Sequence, residues 1–207
     1  MSFKISPNYT NISWIDLRIS YDSDDNWNKA VDIIKDRFES RFFIPLEKLK
    51  KDEYGGFIIM SIDCLLIETF MQFYLGIGST DKYPDYKGNQ ALSFRDFLLN
   101  SPHFKSEFKT EQICKIFYQH FRCGLLHQAQ TKNNSKINIG KSEMLGLVDK
   151  DKISRCLLID RNKFHKKLHK EFKDYLIKLK NNESNFLGQN FRKNCINKMD
   201  LICKEDT

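Results

Sequence analysis

Proline and glycine are scarce, with 4 Pro and 9 Gly in 207 residues. That scarcity excludes collagen-like and low-complexity chains and argues against a loop-dominated all-β fold. Close cysteine pairs are absent as well. The six cysteines (Cys64, Cys114, Cys123, Cys156, Cys195 and Cys203) are scattered and form no CxxC, so no metal-type pairing is readable. Neither a Walker-type loop nor a GxGxxG turn occurs. A long uninterrupted apolar run is missing too. The longest, Phe57 to Leu75, carries Asp63, Glu68 and Gln72, which a membrane span would bear only at a cost of several kcal/mol, so it reads as a buried core helix. The opening MSFKISPNYTN has no apolar stretch of signal-peptide length, which predicts a reducing, cytoplasmic setting, free thiols and no membrane partner.

What is present points to a folded helical protein. Hydrophobic residues make up 41% of the chain and 17 Phe supply most of the aromatic volume, enough for a full core despite 29% charged residues. A net charge of +7 and a pI near 9.0 favour an anionic partner without choosing between nucleic acid and membrane surface. We find no repeat and no linker, and we expect one mainly α domain over residues 1–207, with residues 1–20 as an irregular arm.

Helical periodicity runs through Trp27, Val31, Ile34, Phe38 and Phe42 until Pro45 kinks or ends it, with Leu46–Lys51 able to continue it. Gly55-Gly56 resets the chain before the Phe57–Leu75 helix, which stops at Gly76 and Gly78. Residues 79–89 read as a loop and 90–100 as a short helix. Thr110 caps the next helix, with Ile113, Ile116, Phe117, His120 and Phe121 on its apolar face. Residues 137–159 hold the one β region, a small hairpin around the polar turn Asp149–Lys152. Asp160 caps an amphipathic helix through Phe164, Leu168, Phe172, Tyr175 and Leu179, and a last helix covers residues 185–204.

Two places break these patterns. Asp63 lies within the apolar arc of its helix, among Ile59, Met60, Leu66, Ile67 and Phe70. A carboxylate there must be paired, either with a structural partner such as a backbone or Arg group or as a residue orienting an active-site Arg or His. The other place is Ile116–Thr131, where Arg122 and His127 stand five apart. A continuous helix sends them about 140° apart around its axis, so we expect Gly124 to end or bend the helix and turn both into one crevice.

FRCGLLHQ resembles the Arg-x4–6-His signature of HEPN (higher eukaryotes and prokaryotes nucleotide-binding) domains. GGFIIMSIDCLLIETF is similar to the core helix that precedes it in an uncharacterised bacterial HEPN group, and the likeness extends from Trp27 to Phe172. The resemblance implies a HEPN-like helical bundle, a homodimer that joins two motifs in one cleft, and a metal-independent endoribonuclease of the kind found in toxin–antitoxin and phage-defence systems. It makes Arg122 and His127 the catalytic pair, with no cofactor and with RNA and an antitoxin as partners. It also admits a catalytically silent RNA-binding or protein-interaction module. Two positions depart from the pattern: Cys123 follows the Arg where active members often carry a polar residue, and Ala129 stands where some toxins carry Tyr.

These residue types suit RNA chemistry on their own terms. RNA carries its nucleophile in the 2′-OH, so the protein must supply proton transfer and a cation for the phosphorane. Histidine titrates near neutrality, and arginine offers a planar fork matched to phosphate oxygens. One His cannot easily be acid and base together, so a second from a dimer mate is the economical solution. Sequence-independent affinity is expected from the basic face Lys163, Lys166, Lys167 and Lys170. His165 and His169 stand at i,i+4, but in HKKLH without the Glu of HExxH they read as part of that solvated face rather than as metal ligands.

Overall fold

The computed structural model describes residues 1–147 and 156–204. The chain is mainly α with one small sheet, as its composition implies. In order, the helices are α1 (Asn11–Ile15), α2 (Trp27–Phe38), α3 (Ile44–Leu49), α4 (Gly56–Leu75), α5 (Ala91–Asn100), α6 (Glu111–Phe117) and α7 (Cys123–Gln128). The strands β1 (Lys136–Asn138), β2 (Leu145–Leu147) and β3 (Leu157–Asp160) come next, then α8 (Arg161–Lys180) and α9 (Phe191–Lys204). The chain divides into two compact units, each built from separated segments.

The first unit comprises 1–45, 69–88 and 172–207. Its start is not an irregular arm throughout. Thr10 and Ser13 form a reciprocal capping box that begins α1, and Trp14 of that helix is buried, its indole N–H donating to Asp200 at 3.2 Å. Pro45 follows a π turn over Glu39–Phe43 and does not end the helix, because α3 continues through it. Proline cannot donate to the carbonyl four residues back, and the wider turn just before it accommodates that loss. Phe38, Phe70 and Phe172 form the aromatic centre, Phe70 and Phe172 stacked with centroids 5.8 Å apart. Each such ring contributes roughly 2–3 kcal/mol by leaving water. Arg192, also buried, donates to the last carbonyls of α8 at Leu179 and Lys180, both at 2.7 Å, and closes that helix.

The second unit comprises 46–68 and 89–171. Phe117 stacks on Phe121 and Phe164, with centroids 5.4 and 5.3 Å away, and Phe104 and Phe108 complete the cluster. β2 pairs antiparallel with β3, giving the expected hairpin, while its Asp149–Lys152 turn lies outside the described residues. β1 adds a parallel partner on the other side of β3 that no local pattern announces. Asp160 caps α8 as expected, its Oδ1 accepting from Lys163 N–H at 3.0 Å.

α4 and α8 each belong partly to both units. By length and composition α4 could cross a bilayer, yet 61% of its apolar window is buried inside the protein.

Candidate active site

Arg122 and His127 lie near the end of one continuous helical stretch. α6 starts on Thr110, whose hydroxyl accepts from Ile113 N–H at 3.3 Å. A π turn over Tyr118–Arg122 follows, closed by Cys123 N–H donating to the Tyr118 carbonyl, and α7 then runs on to Gln128. The expected break at Gly124 is therefore absent: the helix continues through it and ends at Ala129, which adopts a left-handed φ of 51°. Gly124 has another task. A Cβ placed there would stand 2.5 Å from the Gln130 carbonyl oxygen and 3.3 Å from Lys132 N. The chain leaving the helix folds back onto it, and only a residue without a Cβ admits that approach.

His120 fastens this return. Its Nδ1 lies 2.9 Å from Ser135 Oγ and its Nε2 lies 2.9 Å from Asn133 Nδ2. The amide nitrogen only donates, so Nε2 accepts and Nδ1 carries the proton given to Ser135. Lys132 N–H also donates to the His120 carbonyl at 3.0 Å, a backbone bond from outside the helix into its π turn. Ser135 Oγ accepts in turn from Leu157 N–H at 3.0 Å, tying the loop to β3. Burial, aided by the Lys132 ammonium, holds the imidazole pKa below its usual value and keeps it neutral.

The Arg122 side chain is half-buried and held on three sides. Its Nη2 is 3.3 Å from both Glu68 Oε2 and Gln90 Oε1, and its guanidinium carbon is 5.6 Å from the centroid of the Tyr118 ring. Burial alone would pull its pKa down, but Tyr118, Glu68 and Cys123 together push it above the usual arginine value. Glu68, Gln90 and Tyr118 escaped the sequence reading as a set. Only Tyr118, four residues before Arg122, stands at a spacing that local helical geometry would flag. His127 is exposed and has no hydrogen-bond partner among the described residues. Five helical steps separate it from Arg122, which on ideal α-helical geometry sets the two about 140° apart and about 7.5 Å along the axis.

Asp63 is fully buried and paired, as its place on the apolar arc requires, but its partner is a histidine rather than an Arg or backbone group. Its Oδ1 lies 2.8 Å from Nδ1 of His165, which is also fully buried. Burial pushes the Asp63 pKa up, and the hydrogen bond and charge of His165 only partly oppose it. His165 therefore does not lie on a solvated basic face: it falls beside Phe164, Leu168 and Phe172 on the arc of α8 that turns into the core. The lysines expected on that face differ among themselves. Lys166 and Lys170 are exposed, with no partner among the described residues. Lys163 donates to the Ser142 carbonyl at 2.5 Å, and Lys167 is ion-paired with Glu107.

Exposed apolar side chains gather on α4 and α7: Phe57, Ile58, Leu65 and Leu126, the last 62% exposed. A shallow groove of about 260 Å³, lined in part by Phe57, Ile62, Leu125 and Ala129, lies in the same unit. No family model matches the chain, and no curated protein or solved structure does either.

Proposed function

We propose that the protein is a metal-independent, HEPN-type endoribonuclease that acts in the cytoplasm as a toxin or phage-defence effector. The observation that carries this reading is the setting of Arg122. A half-buried guanidinium, kept charged by Glu68 and oriented by Gln90 and Tyr118, stands one helical segment before an exposed histidine. Arg122 meets the scissile phosphate and stabilises the phosphorane. His127 transfers the proton between the 2′-OH and solvent or the leaving 5′-oxygen. The products are a 2′,3′-cyclic phosphate and a 5′-hydroxyl.

The 140° divergence within one chain supports a homodimer, in which the His127 of a second copy supplies the other proton-transfer group. The exposed Ile58, Leu65 and Leu126 give that copy an apolar surface to cover. An antitoxin would act by covering the same surface.

One observation favours a catalytically silent RNA-binding or protein-interaction module instead. Glu68 already occupies the Arg122 guanidinium, and substrate phosphate must displace that carboxylate. Cleavage of a labelled RNA separates the two readings. His127→Ala should abolish cleavage while preserving RNA affinity and folding, Arg122→Ala should lower both rate and affinity, and EDTA should leave the wild-type rate unchanged. Undiminished cleavage by His127→Ala, or its loss on chelation, refutes the mechanism. RNA binding without cleavage by the wild-type dimer would establish the silent module.

A further inference from the structure

The second unit contains a cavity of about 570 Å³ that shares no lining residue with the Arg122 site, framed by residues after α5, residues just before β2 and the first turns of α8. Its size falls within the range of about 300–1,000 Å³ common to small-molecule sites. Three lysines line it, and they are not equivalent. Lys167 is spent on Glu107, which also accepts from Ser106 Oγ at 2.5 Å. The Lys163 ammonium meets no carboxylate among the described residues: it gives one hydrogen to the Ser142 carbonyl and keeps two donors. Lys109 is exposed and has no partner among the described residues.

Among the described residues the cavity thus presents two ammonium groups without a carboxylate partner and a Ser142 hydroxyl without a hydrogen-bond partner, all donors suited to an anion with several oxygens. Glu143, exposed on the same wall, is an acceptor for sugar hydroxyls, and Met144 and Leu145 give an apolar surface beside it. We propose that this cavity binds the phosphate group of a phosphate ester, held between the Lys109 and Lys163 ammonium groups. The ester is either a backbone diester of RNA or the monoester of a free nucleotide. The site relies on neither Arg122 nor His127, so it stands even where the catalytic reading fails.

Calorimetric titration of the full chain tests this in two arms, one with adenosine monophosphate and one with a 2′-O-methyl RNA oligonucleotide that no 2′-OH mechanism can cleave. Lys109→Met and Lys163→Met should each weaken binding by about ten-fold or more, the loss of one charge-assisted hydrogen bond. Lys29→Met and Lys115→Met remove the same charge from exposed helical positions outside the cavity and should change it by less than about two-fold. Selective loss with the monophosphate identifies a nucleotide site; selective loss with the oligonucleotide alone identifies the RNA backbone. Equal loss in all four variants, or no loss in Lys109→Met, overturns the proposal. Lys109 is exposed with no partner among the described residues, so its variant decides the question even if Lys163→Met fails to fold.

Discussion

Replacing Gly124 by alanine sets two effects of opposite sign against each other. In a helix interior alanine is favoured over glycine by about 0.8–1 kcal/mol, and Gly124 sits in α7 at an ordinary helical φ. Against that gain, the new methyl group would lie 2.5 Å from the Gln130 carbonyl oxygen, a backbone atom that cannot swing aside like a side-chain tip. Relief requires residues 130–132 to move outward. That movement lengthens Lys132 N–H to the His120 carbonyl, now 3.0 Å, and pulls Asn133 and Ser135 away from the His120 ring. Three partly buried hydrogen bonds at about 1 kcal/mol each, with His120 left short of a partner, outweigh the propensity gain and leave a net loss of about 2–3 kcal/mol. With a urea m-value of about 2 kcal/mol/M, the unfolding midpoint should fall by roughly 1 M. Hydrogen exchange at the Lys132 amide should quicken by more than the global change, since that bond breaks first. A Gly124→Ala protein as stable as wild type, or more stable, would refute the close-approach argument and return Gly124 to a role in chain flexibility.

Two further predictions concern buried titratable groups. Asp63→Ala removes the 2.8 Å partner of His165 Nδ1 inside the core and should cost about 2–4 kcal/mol, whereas Asp63→Asn keeps an acceptor, removes the cost of a buried charge and should lose less than about 1 kcal/mol at neutral pH. Thermal melts of the two variants check this, and equal melting would mean that the pair is not structural. His120 is held neutral when folded, while the unfolded chain takes up a proton below about pH 6.5, so this contribution is complete above that pH and declines as the pH falls towards the lowered folded value. Urea midpoints at pH 7.5 and 5.5 should therefore drop more steeply for wild type than for His120→Asn, and parallel slopes would exclude the imidazole as the cause.

Much of the fold is legible because it follows local rules. The α8 helix shows in the spacing of Phe164, Leu168, Phe172 and Leu179, its start in Asp160, and the buried pairing of Asp63 in the helical arc it shares with Ile59 and Ile67. The identity of the Asp63 partner was also within reach. His165 falls on the same arc as Leu168 and Phe172, and only the lysines around it hide that placement. The π turn that ends at Arg122 was not legible, since the carbonyl of His120 receives its outside donor from Lys132, twelve residues on, through a loop whose path tertiary contacts decide. The parallel pairing of β1 with β3 is equally non-local. At the candidate site, the motif gave Arg122 and His127 but not Glu68 or Gln90, which come from other elements and meet the guanidinium only after folding.

The way the two units share their segments also sets a timetable for synthesis. The second unit takes its last residues from 161–171 and the first from α9, so a chain still on the ribosome has finished neither when α4 has long since emerged. For that interval a 20-residue helix of bilayer-spanning length and apolarity waits without its covering surfaces. Asp63 near its middle weighs against insertion by about 2.5–3.5 kcal/mol. The carboxylate that the folded core seats against His165 thus also sets a cost against insertion of its own helix into a bilayer.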